Sequence, residues 1–80
     1  MKPLEPIHPL TEYTSFFIHE CRGLHTIYGR YSDTGCEALG ETPVRAEAYQ
    51  AIKDFIRLIQ SARVLEGLPP YEFSVGYIRE

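Results

Sequence analysis

YTSFFIHECRGLHTIYGRY, running from Tyr13 to Tyr31, decides the fold, because its first half reads two ways. As a helix, Tyr13, Phe16, Phe17, Cys21 and Leu24 recur at three- and four-residue spacing, with Thr11 to cap the start and Gly23 the end. As a strand, YTSFFI is rich in aromatic and β-branched residues. The second half, LHTIYGRY, is strand-like on the same grounds. A strand needs a sheet neighbour, and the preceding segment is the nearest one in sequence. The reading is therefore a β-hairpin. Gly23 of the Arg22-Gly23 pair supplies the positive φ of a three-residue loop with a bulge.

Beyond Tyr31, SDTGCEALGE (residues 32–41) reads as a loop or a single short turn bracketed by Gly35 and Gly40. The signal then strengthens. Thr42 is a good N-cap and Pro43 a good first helical residue. Val44, Ala48, Ala51, Ile52, Phe55, Leu58, Ile59 and Ala62 form an apolar stripe at helical period. Gly67 suits the left-handed residue after the helix, and Pro69 and Pro70 forbid continuation. The expected helix has about 22 residues, roughly six turns. In the tail, Tyr71, Phe73, Val75 and Tyr77 alternate with Glu72, Ser74 and Gly76, the period of a half-buried strand.

The expected fold is α+β, in the order β-β-α-β. One long helix packs on one face of a small, three-stranded sheet, antiparallel or mixed. Residues 11–80 form this single small domain. Residues 1–10 precede it as a proline-containing extended arm, with Pro3, Pro6 and Pro9 at the polyproline II period. The arm either lies over the domain or is loose in solvent, and His8 stands isolated in it. One helix covers one face of a sheet. The other is left to solvent, to the arm or to a partner.

Composition narrows the function classes. With 44% apolar residues the chain has a folding composition. A net charge of −3 without a Lys/Arg cluster argues against duplex binding and mildly favours a partner with a basic surface. No apolar run approaches the ~18 residues of a membrane span. The first ten residues lack the continuous apolar stretch of a signal peptide. With only two cysteines, this points to a reducing cytoplasm.

The candidate chemistry is sparse. His19, Cys21, His25 and Cys36 are a legitimate zinc ligand set by residue type, and a hairpin loop flanked by residues 20 and 24 makes His19 and His25 cross-strand neighbours. A one-residue change of register puts His19 opposite Thr26 and dissolves the set. His19-Glu20 does not start an H-E-x-x-H motif, since the next histidine is six positions on from His19. Asp33-Thr34-Gly35 matches the triplet of aspartic proteases, but no apolar strand precedes it and the main element is a helix; an Asx-type turn explains it. No nucleophile elbow or phosphate loop is present, and so small a domain leaves little room for a water-excluding pocket. No enzyme and no cofactor are expected.

Arginines interleaved with tyrosines raise single-stranded nucleic-acid binding, which the acidic charge opposes. The best reading is a small non-enzymatic protein–protein interaction module. Small acidic domains of this kind include phage-encoded inhibitors of host protein complexes, an analogy of size and charge alone. Phe17, Tyr28, Arg30, Tyr31, Ile78 and Arg79 are the candidate partner-binding residues. A homodimer through the sheet is a further way to use its free face or edge. A zinc module and a single-strand binder are the alternatives.

Overall fold

The computed structural model describes residues 3–80; Met1 and Lys2, the first residues of the expected arm, lie outside the described residues. The hairpin is present. β1 (Ser15–Cys21) and β2 (Leu24–Arg30) pair antiparallel, with Cys21 opposite Leu24. The loop is shorter than expected. Arg22 and Gly23 alone make the turn, with φ of 54° and 80°. Two successive positive φ values are the signature of a type I′ turn, whose twist matches that of the flanking strands. The three-residue loop is thus corrected to two residues, and the register changes with it.

The segment expected to be a loop forms a strand, β3 (Cys36–Thr42), antiparallel to β2. Glu, Ala and Gly dominate it, so intrinsic β propensity is low, and the pairing with β2 overrides propensity. Ile27 faces Gly40 and Tyr28 faces Ala38, which leaves Leu39 as the extra residue of a β-bulge. That bulge turns Leu39 inward, where it is buried. β4 (Ser74–Arg79) then lies beside β1 and parallel to it. The sheet is therefore four-stranded and mixed, in the order β3-β2-β1-β4, and the chain runs β-β-β-α-β.

The single helix, α1 (Arg45–Leu65), covers one sheet face. It starts later than the proline suggests, because Thr42 still belongs to β3. Thr42 acts on the helix from outside it. The Val44 N–H donates to Thr42 Oγ1 at 3.2 Å, and the Thr42 hydroxyl donates to Glu47 Oε2 at 2.8 Å. At the other end, the Gly67 N–H reaches the Val64 carbonyl at 3.0 Å and the Leu68 N–H reaches Arg63 at 2.8 Å. With Gly67 at φ 73°, this is a Schellman motif.

The stripe that faces the sheet is narrower than the sequence pattern: Ala48, Ile52, Phe55 and Ile59 are buried, while Val44 and Leu58 are exposed. These four meet Tyr13, Phe16, Ile18, Ile27 and Leu39. Phe55 stands edge-on to both Tyr13 and Phe16, with centroids 5.6 and 5.7 Å away. Each such side chain contributes about 1.5–3 kcal/mol by leaving water. The helix axis lies nearest β2 and β3, and reaches β4 through Tyr49 stacked on Tyr77. Among the described residues no helix is long and apolar enough to cross a membrane.

The arm lies over the domain. The Glu5 N–H donates to the Leu39 carbonyl at 3.1 Å, so the arm runs along the outer edge of β3. Leu4 and Leu10 pack against the core, and one 3-10 turn (Leu10–Glu12) leads into β1.

Candidate functional site

The pleat sends alternate side chains to opposite faces. On β1, Phe16 and Ile18 go to the helix, while Ser15, Phe17, His19 and Cys21 go to the other face. The pairing registers extend that face through Leu24, Thr26, Tyr28 and Arg30, then Ala38 and Cys36 on one side and Ser74, Gly76 and Ile78 on the other. The helix does not cover it, and the arm only borders it, where Glu5, Pro6 and Ile7 form a groove with Thr26 and Ala38. Phe17 and Tyr28 are cross-strand partners and stack with centroids 4.9 Å apart and planes 10° from parallel. Ile78, in the His19–Thr26 row next along, and Leu24, one row further at the turn, add apolar surface to the same face, 51% and 40% exposed.

Of the six expected partner-binding residues, Phe17, Tyr28, Arg30 and Ile78 share this face. Tyr31 and Arg79 do not. Tyr31 follows β2 and stacks on His8 at 3.7 Å. Arg79 lies on the helix side, where its Nε is 3.0 Å from Glu20 Oε2.

The proposed zinc set is dispersed. His19 faces Thr26, and His25 faces Glu20. His19 and His25 thus point to opposite faces of the sheet. Cys36 pairs with Arg30, six residues along β2 from Leu24, the partner of Cys21, or roughly 20 Å away. Both cysteines are free thiols. No group of three or more His, Cys, Asp or Glu suited to hold a metal occurs among the described residues. Asp33-Thr34-Gly35 lies in the β2–β3 turn, where the Tyr31 and Ser32 N–H groups both reach the Gly35 carbonyl, at 3.1 and 3.4 Å.

Each histidine has its own polar setting. His19 Nε2 lies 3.2 Å from Glu80 Oε1 at one end of the open face. The Cys21 thiol donates to the same carboxylate; this bond, with burial and the nearby Glu80 and Glu20 charges, pushes the thiol above its ordinary pKa. The Cys21 hydrogen bond and then His19 pull Glu80 below the usual carboxylate range. His25 is buried on the helix side. Its Nδ1 lies 3.3 Å from the Thr42 carbonyl, which can only accept, so Nδ1 carries the proton. Its Nε2 faces Glu20 Oε1 at 3.7 Å. Arg45 covers the Tyr77 ring beside this cluster at 4.2 Å.

His8 is not isolated. Its Nδ1 lies 3.2 Å from Glu37 Oε2. The other carboxylate oxygen of Glu37 accepts from the Ile7 N–H at 3.2 Å and from the Tyr13 hydroxyl. Sequence reasoning missed this clasp because Glu37 lay in an assumed loop. As the partner of Gly29 on β3, it points to the helix side, toward the arm. The concavities nearby are open grooves; one of about 390 Å³ lies between Pro3 and Leu4 of the arm and Ala51, Asp54, Phe55 and Leu58 of the helix. No protein-family model matches the chain, and no curated protein or solved structure does either.

Proposed function

We propose that the chain is a non-enzymatic interaction module that docks a protein partner on the open face of its sheet. The observation that supports this is the Phe17–Tyr28 stack, with exposed Ile78 and Leu24 further along the same face, which the helix leaves uncovered. Rigid aromatics carried on strands lose little conformational freedom on binding and carry a large share of interface energy. The grooves are open: one lies between the arm and the helix, and the other lies at the β3 border of this face, where Glu5, Pro6 and Ile7 of the arm meet Thr26 and Ala38. The net charge of −3 favours a partner whose contact surface is basic or neutral. Inhibition of a larger complex, as phage-type inhibitors of similar size achieve, is one use of such a surface.

The test compares the proteins captured by the parent chain with those captured by Tyr28→Ser, by Leu24→Ser and by the helix-surface control Leu58→Ser. Each captured protein is then titrated against the purified variants. We expect Tyr28→Ser to weaken binding by about 2 kcal/mol, roughly thirtyfold, with the control unchanged. Equal affinity for all four folded proteins would remove the open face from the interface. A ligand that proves to be single-stranded nucleic acid would replace the protein partner.

A further inference from the structure

The two edges of the sheet are treated differently. At β3 the arm shields the edge, with the Glu5 N–H on the Leu39 carbonyl and Glu37 clasping Ile7. At β4 nothing among the described residues does. The Glu80 N–H donates to the Glu20 carbonyl at 3.1 Å, so even-numbered residues of β4 turn their main-chain groups toward β1. Val75, Tyr77 and Arg79 therefore turn theirs outward. The strand has no proline, lysine or bulge to deter pairing, and Arg79 is drawn back to Glu20. The helix reaches this strand only through Tyr49 and Arg45 on the Tyr77 ring, and among the described residues no hydrogen bond from it meets the outward main-chain groups of Val75, Tyr77 or Arg79.

From these observations we propose that β4 is a self-association strand. A second copy of the chain adds antiparallel along it, with Tyr77 on the twofold axis, and the two sheets become one of eight strands. Strand parity selects this occupant. A twofold axis perpendicular to the sheet keeps both helices on one side and pairs residues of like parity. With Tyr77 opposite Tyr77 of the second copy, Val75 meets Arg79, and all three outward residues exchange main-chain hydrogen bonds. On the open face, Ile78 meets Gly76, twice over. Ile78 is half exposed, and Gly76 offers a bare main-chain strip next to Phe17. The knob and its seat are thus both on the one strand. Charge disfavours the neighbouring register: a shift to Gly76 on the axis sets Glu72 against Glu80, whereas the Tyr77 register sets Ser74 there. This goes beyond the open-face reading and does not depend on it.

Sedimentation equilibrium of the full chain tests it. We expect twice the 9.2 kDa chain mass. Val75→Pro deletes an outward donor without touching the β1 ladder, and should weaken dimerisation more than about tenfold with an unchanged circular dichroism spectrum. Ile78→Glu, at an exposed position, should do the same without altering the backbone. In a Cys21→Ser/Cys36→Ser background, Gly76→Cys/Ile78→Cys should cross-link on oxidation, whereas Gly76→Cys alone should not. A monomeric mass at every concentration, a dimer indifferent to both edge variants, or cross-linking of Gly76→Cys alone overturns the proposal. So does a monomer whose β4 amides gain hydrogen-exchange protection only when another protein is added, which assigns the edge to a foreign strand.

Discussion

Arg22 holds a φ of 54°, in a region where a side chain costs about 1 kcal/mol and glycine nothing. Arg22→Gly should therefore raise stability by up to about 1 kcal/mol, less the chain entropy that glycine adds to the unfolded state. Urea unfolding reads it, and a lowered midpoint would refute the two-residue turn. Gly67 presents the opposite case. Open space surrounds its missing Cβ, so the cost of Gly67→Ala is the left-handed backbone alone, about 1 kcal/mol. Cys21 makes a prediction about pH. Its raised pKa means that folding favours the neutral thiol; the contribution is present at neutral pH and is lost as pH rises through the shifted value. Glu80, shifted down, loses its contribution as pH falls through its own value. Cys21 should thus react with iodoacetamide more slowly than a free thiol near neutrality, and Glu80→Gln should speed it. The zinc reading fell at this scale too. One residue of loop length decides whether His19 faces His25 or Thr26, and Arg22 adopts a conformation that its residue type disfavours, so the sequence pointed to the longer loop.

The elements differ in how openly the sequence announced them. The helix was legible because 21 residues of apolar periodicity and a glycine stop signal agree. Its breadth was overread: Leu58 belongs to the periodic stripe but faces the groove under the arm. β3 was illegible because Leu39 is the one large apolar residue in CEALGET, and Glu37, at an inward position, serves the arm instead of the core. The open face was half legible. Phe17, Tyr28, Arg30 and Ile78 meet there by strand parity, while of the other expected partner-binding residues Tyr31 falls past the end of β2 and Arg79 on the helix side of β4. Two predictions belong here. Phe55→Ala should cost about 3–5 kcal/mol, since its ring is the edge-to-face partner of both Tyr13 and Phe16. In so small a domain that can remove the cooperative melt altogether. Glu37→Ala should cost about 1–3 kcal/mol by leaving the part-buried Tyr13 hydroxyl without its acceptor and releasing the arm at Ile7. Amide exchange at Glu5 should rise with it, and an unchanged rate there would show that the arm is held by other contacts.

For the molecule as a whole, the scattered His and Cys residues lead to an expectation about metal. Treatment with EDTA should leave the circular dichroism spectrum and melting temperature unchanged, and Cys21→Ser/Cys36→Ser should stay folded. One tightly held zinc per chain, with unfolding on chelation, would contradict both. The parallel pairing of β1 with β4 has a further consequence, for synthesis on the ribosome. β1 is the first strand made, yet it sits in the interior of the sheet and its second neighbour is the last strand made. The β1–β2–β3 meander can pair outside the exit tunnel while the helix and Ser74–Arg79 are still inside it. The flank of β1 that awaits Ser74–Arg79 stays bare throughout that interval, with Phe16 and Ile18 beside it. A nascent chain stalled on a C-terminal linker with Thr42 clear of the exit tunnel and Ser74–Arg79 still inside it should accordingly be a client of holdase chaperones, and one stalled with Arg79 clear of the tunnel should not.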